Sequence, residues 1–376
     1  MTLELAQSKL TELLNRPLPT QHPWPPAGSE IIIYGAGTCG REVMRVLCEH
    51  GYRIAAFLDA RAETLQSVEN VACLLPESKE AHTYARAGTP VVLGVFNFAA
   101  DSAAIQNRLE RIGFACVISY YDFFEAFLKQ AASRFWLTAR SFYQKHREDL
   151  FAGLRLWSDD FSRKLYVDLI EFRLTGNLKL LRDPDQKHQY FPLDLPPIPQ
   201  PIRLIDGGAY VGDTLQNLLD QHLGFEAVAA FEPDPENFRR LCQCADLHKK
   251  QLGARILLPC GLGSQTASCT FATGRGGGSL IAQEGDAHVQ VVALDDVLPS
   301  FNPTFIKLDI EGAELAALRG AEKTILGCRP RLAVCVYHEP DHLWTIPLLM
   351  HKLVPTHALA LRYHQFNDFD VVAYAF

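Results

Sequence analysis

Short apolar runs alternate with helical patterns in two stretches of the chain. In the first stretch, apolar runs at 30–34, 90–95 and 115–119 have the length of strands, and a helical pattern covers 100–112. Short apolar runs bounded by turn residues indicate buried strands, and their alternation with helices indicates a mainly parallel sheet. Residues 29–120 are therefore predicted to form a small α/β domain.

The same alternation restarts in the C-terminal half. Strands are predicted at 202–206, 227–232 and 254–260, and then at the apolar runs TFIKLDI, RLAVCVYH, ALALRYHQ and DVVAYAF. Residues 263–293 interrupt this order, because two alternating segments, SCTFATG and HVQVVAL, flank the glycine-rich GRGGGS at 274–279. We interpret this stretch as an inserted hairpin, whose glycine loop either closes over a bound acceptor or is a simple turn.

A segment with helical periodicity only separates the two stretches. Residues 121–190 contain no strand pattern, and their aromatic side chains are expected either to line an acceptor pocket or to fill the core between helices. The predicted fold class is α/β, with two Rossmann-like domains joined by this helical segment. The predicted parts are an N-terminal helix with a proline-rich linker (1–28), a small Rossmann-like domain (29–120), a helical linker or lid (121–200) and a second Rossmann-like domain (201–376).

Composition and charge narrow the function classes. The 376-residue chain is 48% hydrophobic and 21% charged, as in soluble globular proteins, and its net charge of -7 argues against a dominant nucleic-acid-binding role. Ten cysteines without a CxxC pair predict reduced thiols rather than a zinc site. We find no signal-peptide pattern and no apolar run of membrane-helix length, so a cytoplasmic protein without a membrane span is expected.

A glycine turn follows the first strand of the C-terminal stretch. This strand ends in Asp206, and the turn reads GGAYVGDT from Gly207 to Thr214. Small residues here let a ligand lie against the backbone where the next helix begins. The second strand ends in Glu232 and Pro233, and neighbouring parallel strands end side by side, so Glu232 can accept hydrogen bonds from ribose hydroxyls. The turn lacks the GxGxxG spacing that favours a pyrophosphate.

Five motifs, this turn among them, occur in a fixed order. LIDGGAYVGDTLQNL, AFEPDPENFRRL, VVALDDV, FIKLDIEGAELAALRGA and YHEPDHLWTIP together resemble the FkbM-type S-adenosylmethionine-dependent methyltransferases. The resemblance extends over residues 155–376. It implies a class I methyltransferase fold, whose seven-stranded sheet is mostly parallel with an antiparallel last strand.

The resemblance also implies S-adenosylmethionine as the cofactor. The acid at the end of the first strand suits the positive amino-acid end of this molecule, and Glu232 would border its ribose. The implied cofactor-binding residues are Asp206, Gly207, Gly208, Ala209, Gly212, Asp213, Glu232 and Pro233, with Cys260, Gly261 and Leu262 near the adenine.

Candidate catalytic residues lie at the ends of the fourth and fifth strands. A hydroxyl acceptor benefits from a base near the transferred methyl group, and we predict Asp309, His338 and Glu311 as acids or bases there. Alternatively, Asp309 caps the next helix and His338 satisfies local hydrogen bonds. These side chains could also hold a divalent metal, although no metal is predicted. Lys307 shares a strand face with Asp309, so an ion pair with Asp309 or a glutamate is possible.

A second glycine turn, near the N-terminus, has the full GxGxxG spacing. Gly35, Gly37 and Gly40 lie between a strand and a helix, and Asp59 ends the next strand, which is the fingerprint of a dinucleotide site. The surrounding sequence, IIIYGAGTCGREV with FLDA, resembles the nucleotide-sugar-binding domains of sugar acyltransferases. The turn therefore predicts a second nucleotide site, with a fold that binds nothing as the alternative.

The combined prediction is an S-adenosylmethionine-dependent methyltransferase that O-methylates a sugar, a glycan precursor or a related small molecule. A nucleotide-linked sugar is a candidate acceptor, because of the N-terminal turn. The alternatives are an NAD(P)-dependent oxidoreductase or a nucleotide-sensing protein that uses the N-terminal GxGxxG domain. The sequence indicates no oligomeric state.

Overall fold

The computed structural model describes residues 1–18, 24–131, 134–181, 183–271 and 287–376. Two main sheets flanked by helices give an α/β fold, which confirms the predicted class at this level. The glycine-rich segment 274–279 lies outside the described residues.

The N-terminal unit is a six-stranded sheet in the order β3-β4-β2-β1-β5-β6. All its pairings are parallel except that of β3 with β4. The sequence pattern did not indicate β3 and β4, because so short a pair leaves little periodicity. Its elements are α1 Leu3–Asn15, β1 Glu30–Tyr34, α2 Thr38–Glu49, β2 Arg53–Leu58, α3 Ala62–Leu65, β3 Ser67–Val68, β4 Val71–Leu74, α4 Lys79–Arg86, β5 Val91–Leu93, α5 Ser102–Ile112 and β6 Val117–Ile118.

The segment between the sheets is helical. Its helices are α6 Tyr120–Ala126, α7 Ser141–Lys145, α8 Arg147–Leu154 and α9 Asp160–Thr175. Asp159 begins α9 by accepting a hydrogen bond from the Ser162 amide at 2.7 Å. Trp136 and Trp157 are buried, so these two aromatic side chains belong to the core.

The C-terminal unit is a seven-stranded sheet in the order β15-β16-β14-β13-β7-β8-β9. The strands β7, β8, β9, β13 and β14 are parallel, and β16 runs antiparallel to both of its neighbours. Its elements are β7 Ile202–Gly207, α10 Asp213–Asp220, β8 Phe225–Phe231, α11 Pro235–Leu247, β9 Ala254–Leu258, β10 Gly261–Leu262, β11 Ala267–Phe271, β12 Ala287–Val292, α12 Leu294–Val297, β13 Phe305–Leu308, α13 Glu314–Gly320, α14 Glu322–Cys328, β14 Arg331–Cys335, α15 His342–Leu353, β15 Leu359–Tyr363 and β16 Val371–Ala375.

The predicted insertion forms a separate small sheet. Strands β11 and β12 pair antiparallel, as expected for a hairpin, and β12 also pairs with β10. The insertion leaves the parallel order of the main sheet intact, so β7, β8, β13 and β14 end along the same edge.

Direct contacts join the two units. The Asn367 amide donates to the carbonyls of Asn97 and Ala100, at 2.9 and 2.6 Å. The Phe96 and Phe369 rings pack with their centroids 5.2 Å apart. None of the helices in the described ranges is long and apolar enough to cross a membrane.

Candidate active site

The glycine turn after β7 packs directly against the end of β13. Gly208 has φ +73°, and a Cβ there would lie 1.9 Å from the carbonyl oxygen of Asp309. A Cβ on Gly207 would meet Leu308 at 2.8 Å and Leu262 at 2.9 Å. Only glycine allows this close approach, so the turn and the strand bearing Asp309 are held together.

Asp206 lies buried beneath this turn and pairs with Lys307. The ammonium lies 3.1 Å from the carboxylate and donates to the carbonyls of Gly207 and Gly208. Burial lowers the pKa of Lys307, but the carboxylates of Asp206 and Asp309 outweigh it and raise this pKa above its ordinary value. The ion pair therefore forms with Asp206, which was not among the partners considered possible from the sequence, because β7 and β13 are adjacent and place Lys307 directly opposite Asp206.

Glu232 links the end of β8 to the same turn. Its carboxylate accepts hydrogen bonds from the amides of Tyr210 at 2.8 Å and Asp234 at 2.9 Å. Burial raises the pKa of Glu232 to about 7. Pro233 separates Glu232 from Asp234, which in turn begins α11 by accepting from the amides of its first turn.

The other predicted cofactor residues flank the turn. Gly212 has φ +89° and begins α10, whose first residue is Asp213. Ala209 is fully buried. Cys260 is also buried, and Gly261 and Leu262 form β10, with Leu262 beside Gly207. The structure therefore brings the residues after β7, β8 and β9 to one edge of the sheet.

Four side chains form an acid–histidine cluster, Asp309, Glu311, Glu314 and His338, where β13 and β14 end. The imidazole is buried, with Nδ1 2.8 Å from Glu314 Oε1. Its Nε2 lies 3.4 Å from Asp309 Oδ1 and 3.7 Å from Glu311 Oε2. The side chains of Asp309 and Glu311 are 22% and 19% exposed, so both are partly accessible to solvent.

The electrostatics of this cluster depend on burial and on its own charges. Burial alone would lower the pKa of His338, but the three carboxylates outweigh it and raise this pKa to about 10. Burial raises the pKa of Glu311 to about 8. Burial also opposes ionisation of Glu314, yet His338 and the nearby His342 hold its pKa at about 2. Glu314 and His338 therefore form an ionised, buried pair at neutral pH.

Tyr190 is a site residue that sequence reasoning missed. Its hydroxyl donates to Asp309 Oδ2 at 2.8 Å, and its ring lies 5.3 Å from the Lys307 ammonium. The residue lies 119 positions before Asp309 and matches no chemical motif, so only the fold reveals the contact.

Two other contributions also went unpredicted. Glu314 was not predicted as a site residue, although it is fully buried and accepts from the Ile310 amide at 2.8 Å. Phe135, from the helical segment, lies with its ring centroid 6.2 Å from that of His338. This half-buried ring places part of the segment beside the acid–histidine cluster, and its role toward an acceptor stays a prediction.

The N-terminal glycine turn has a different electrostatic character. Gly35 has φ +96°, and a Cβ added to Gly40 would lie 1.9 Å from the carbonyl oxygen of Gly35. Both glycines therefore allow α2 to pack closely on the turn. Gly37 faces open space. Asp59 accepts from the Ala36 amide and is paired through both carboxylate oxygens with Arg61, at 2.9–3.0 Å. The hydrogen bonds from Arg61 lower the pKa of Asp59 to about 2.

The C-terminal unit resembles known methyltransferase domains. Residues 206–368 match the family model described as the Methyltransferase FkbM domain. The whole chain has the fold of the crystal structure of Methyltransferase FkbM from Methylobacillus flagellatus KT, with a TM-score of 0.79 and 19% identity. That similarity covers 99% of this chain and 98% of the other.

A curated relative carries a more specific name. Hexuronic acid methyltransferase AglP from Haloferax volcanii is 31% identical over 99 residues, which is 25% of this chain. The match spans 40% of the length of that relative.

Proposed function

We propose that the protein transfers a methyl group from S-adenosylmethionine to a hydroxyl group of a sugar or a related small molecule. The proposal rests mainly on one observation: the glycine turn after β7, Glu232 and the acid–histidine cluster lie at the same edge of the C-terminal sheet. The FkbM domain match supports methyl transfer, and the name of the AglP relative supports a sugar acid as the first acceptor to test.

The turn and Glu232 would hold the cofactor. Each oxygen of the Glu232 carboxylate accepts one backbone hydrogen bond, so each retains a lone pair for a ribose hydroxyl. The close packing of Gly208 leaves a backbone surface on which the methionine part can lie. Lys307 neutralises Asp206 beneath the turn, so Asp206 acts on a ligand chiefly by fixing this backbone.

The acid–histidine cluster would receive the acceptor. In the reaction, the hydroxyl oxygen forms a bond to the methyl carbon while the carbon–sulfur bond breaks. S-adenosylhomocysteine leaves, and the hydroxyl proton passes to a carboxylate of the cluster. Tyr190 holds one oxygen of Asp309, which fixes the orientation of the other toward the site.

Calorimetric titration with S-adenosylhomocysteine tests the cofactor site. We expect one binding site in the wild type, and affinity reduced about tenfold or more in Glu232→Ala, because charge-assisted hydrogen bonds to ribose are lost. Glu226→Ala is the matched control, since Glu226 is an exposed acid at the opposite end of the same strand. It should leave affinity unchanged.

Two outcomes would contradict the proposal. One is that wild-type protein, shown to be folded by its cooperative thermal transition, fails to bind S-adenosylhomocysteine. The other is that Glu232→Ala binds as tightly as Glu226→Ala. With binding established, transfer of a labelled methyl group to hexuronic acids, neutral sugars and nucleotide-linked sugars then identifies the acceptor class.

A further inference from the structure

Three ligand-type atoms in the acid–histidine cluster are buried without hydrogen bonds, and two of them face each other. The third, Glu314 Oε2, lies 3.4 Å from His342 Nδ1. His338 Nε2 and Asp309 Oδ1 lie 3.4 Å apart, and neither makes a hydrogen bond with any residue that the structure describes. An unsatisfied buried polar atom is costly, and two of them facing each other point to a missing partner between them.

The remaining atoms of both side chains are already engaged. Glu314 accepts from His338 Nδ1, and Tyr190 donates to Asp309 Oδ2, so both free atoms are held in fixed directions. A carboxylate on the far nitrogen of a histidine is the usual support for a metal-binding imidazole, because it fixes the tautomer and the ring orientation.

The spacing and the charge both suit a cation. Ligand atoms around a metal at distances of about 2.1 Å lie about 3.0–3.4 Å from one another in octahedral or tetrahedral geometry, and the observed 3.4 Å falls in this range. Glu311 Oε2 lies 3.7 Å from the same nitrogen and is the next available ligand. Ligand atoms of Asp309, Glu314 and His338 lie within 4.8 Å of one another, and these carboxylates carry more negative charge than one imidazole can offset.

We propose that the acid–histidine cluster binds one divalent cation, with His338 Nε2 and Asp309 Oδ1 as ligands, Glu311 as a further ligand and Glu314 supporting the histidine. Without the cation His338 is protonated, so binding would release the proton on Nε2 to solvent while Nδ1–H keeps its hydrogen bond to Glu314. An imidazole beside carboxylates favours a first-row transition metal such as Mn²⁺ over Ca²⁺. Binding of the cation does not depend on the proposed function. If both hold, the cation would bind the acceptor hydroxyl and ease the loss of its proton to a neighbouring carboxylate.

Titration of chelator-treated, full-length protein with Mn²⁺ tests the proposal, with free Mn²⁺ followed by electron paramagnetic resonance. We expect one saturable site in the wild type. His338→Ala and Asp309→Asn should each weaken it by about tenfold or more, and Glu314→Gln by about 10- to 100-fold, as for other residues that support metal ligands. His351→Ala, which removes an exposed histidine of the same domain, should leave the affinity unchanged.

Absence of saturable Mn²⁺ uptake by folded protein would overturn the proposal, as would equal affinity in the wild type and in Asp309→Asn. The latter variant is nearly isosteric and partly exposed, so it guards against a folding defect in the histidine variant. Binding of S-adenosylhomocysteine to the metal-free protein is measured separately. If the protein binds S-adenosylhomocysteine but no Mn²⁺, only the proposed metal site is contradicted. If it binds Mn²⁺ but no S-adenosylhomocysteine, only the proposed cofactor site is contradicted.

Discussion

At the scale of single residues, the candidate site depends on a close approach of two backbone segments that any side chain larger than that of glycine would prevent. Gly208 combines a left-handed backbone with a contact to the Asp309 carbonyl that leaves no space for a methyl group. The same residue thus determines both the shape of the glycine turn after β7 and the position of the strand end that carries Asp309.

Substitution at Gly208 should therefore be costly. We expect Gly208→Ala to lower the free energy of unfolding by about 2 kcal/mol or more, from the left-handed conformation and the clash together. Gly327→Ala is the control, because Gly327 lies in α14 with an ordinary φ and nothing within 4 Å of an added Cβ. Urea unfolding measures the free energy of unfolding of both variants. A Gly208→Ala protein as stable as Gly327→Ala would contradict this prediction.

Residue chemistry in the sequence indicated which side chains lie together better than it indicated how they pair. Asp309, Glu311 and His338 lie together because the carboxyl ends of parallel strands share an edge. The possible partners named for Lys307 did not include Asp206, since the neighbour across a sheet depends on which strands are adjacent and in what register. The hydroxyl that fixes Asp309 comes from Tyr190, far away in sequence, which no local pattern indicates.

At the scale of secondary-structure elements, one histidine joins the last strands of the sheet to the segment that carries Tyr190. His364 Nδ1 donates to the Asp185 carbonyl at 2.7 Å, and Tyr374 Oη lies 2.8 Å from His364 Nε2. The Tyr190 amide donates to the same Tyr374 hydroxyl. Burial lowers the pKa of His364 to about 4, so the imidazole is neutral in the folded protein at neutral pH.

This histidine should make stability depend on pH. The unfolded state takes up a proton near pH 6.5, and the folded state only near pH 4, so the stability present above pH 6.5 is lost as pH falls from 6.5 to 4. The loss attributable to His364 is about 3 kcal/mol. Urea unfolding at pH 7, 5.5 and 4 should show a shallower decline in His364→Gln than in the wild type or the exposed-site control His351→Ala. Parallel declines in all three would refute the assignment.

Long apolar strands were recognisable from the sequence, and short paired ones were not. Strands β1, β7, β8, β13 and β14 have nearly continuous apolar runs, because helices cover both faces of a parallel sheet. The pair β3 and β4 lies at a sheet edge and includes exposed positions, so its pattern does not differ from that of a loop.

At the scale of the whole molecule, the two glycine turns differ in how they would meet a nucleotide. Glu232 keeps lone pairs free at its turn, whereas Arg61 covers Asp59 at the other. A ribose would have to displace Arg61 before it could bind Asp59. The second nucleotide site therefore remains a prediction, and the Arg61–Asp59 pair opposes the ribose of NAD and of a nucleotide-linked sugar alike.

Titration with NAD⁺ and with a nucleotide-linked sugar separates the remaining hypotheses for the N-terminal unit. We expect the wild type to bind NAD⁺ weakly at most, because displacement of the Arg61–Asp59 pair opposes ribose binding. Arg61→Ala exposes Asp59 and should increase any affinity for either ligand, while Asp59→Ala should not. Tight NAD⁺ binding by the wild type that Asp59→Ala abolishes would instead favour the oxidoreductase hypothesis.

Several contacts reach the matched segment 206–368 from residues that lie outside it. The segment 206–368 carries the family signature, yet Tyr190 and Phe135, which border its acid–histidine cluster, lie outside it. The buried Arg173 forms its ion pair with Asp368, the last residue of that segment. A recombination event that transplanted only residues 206–368 would deliver the acid–histidine cluster without these contacts. The structural unit that surrounds this cluster is therefore larger than the segment that sequence comparison recognises.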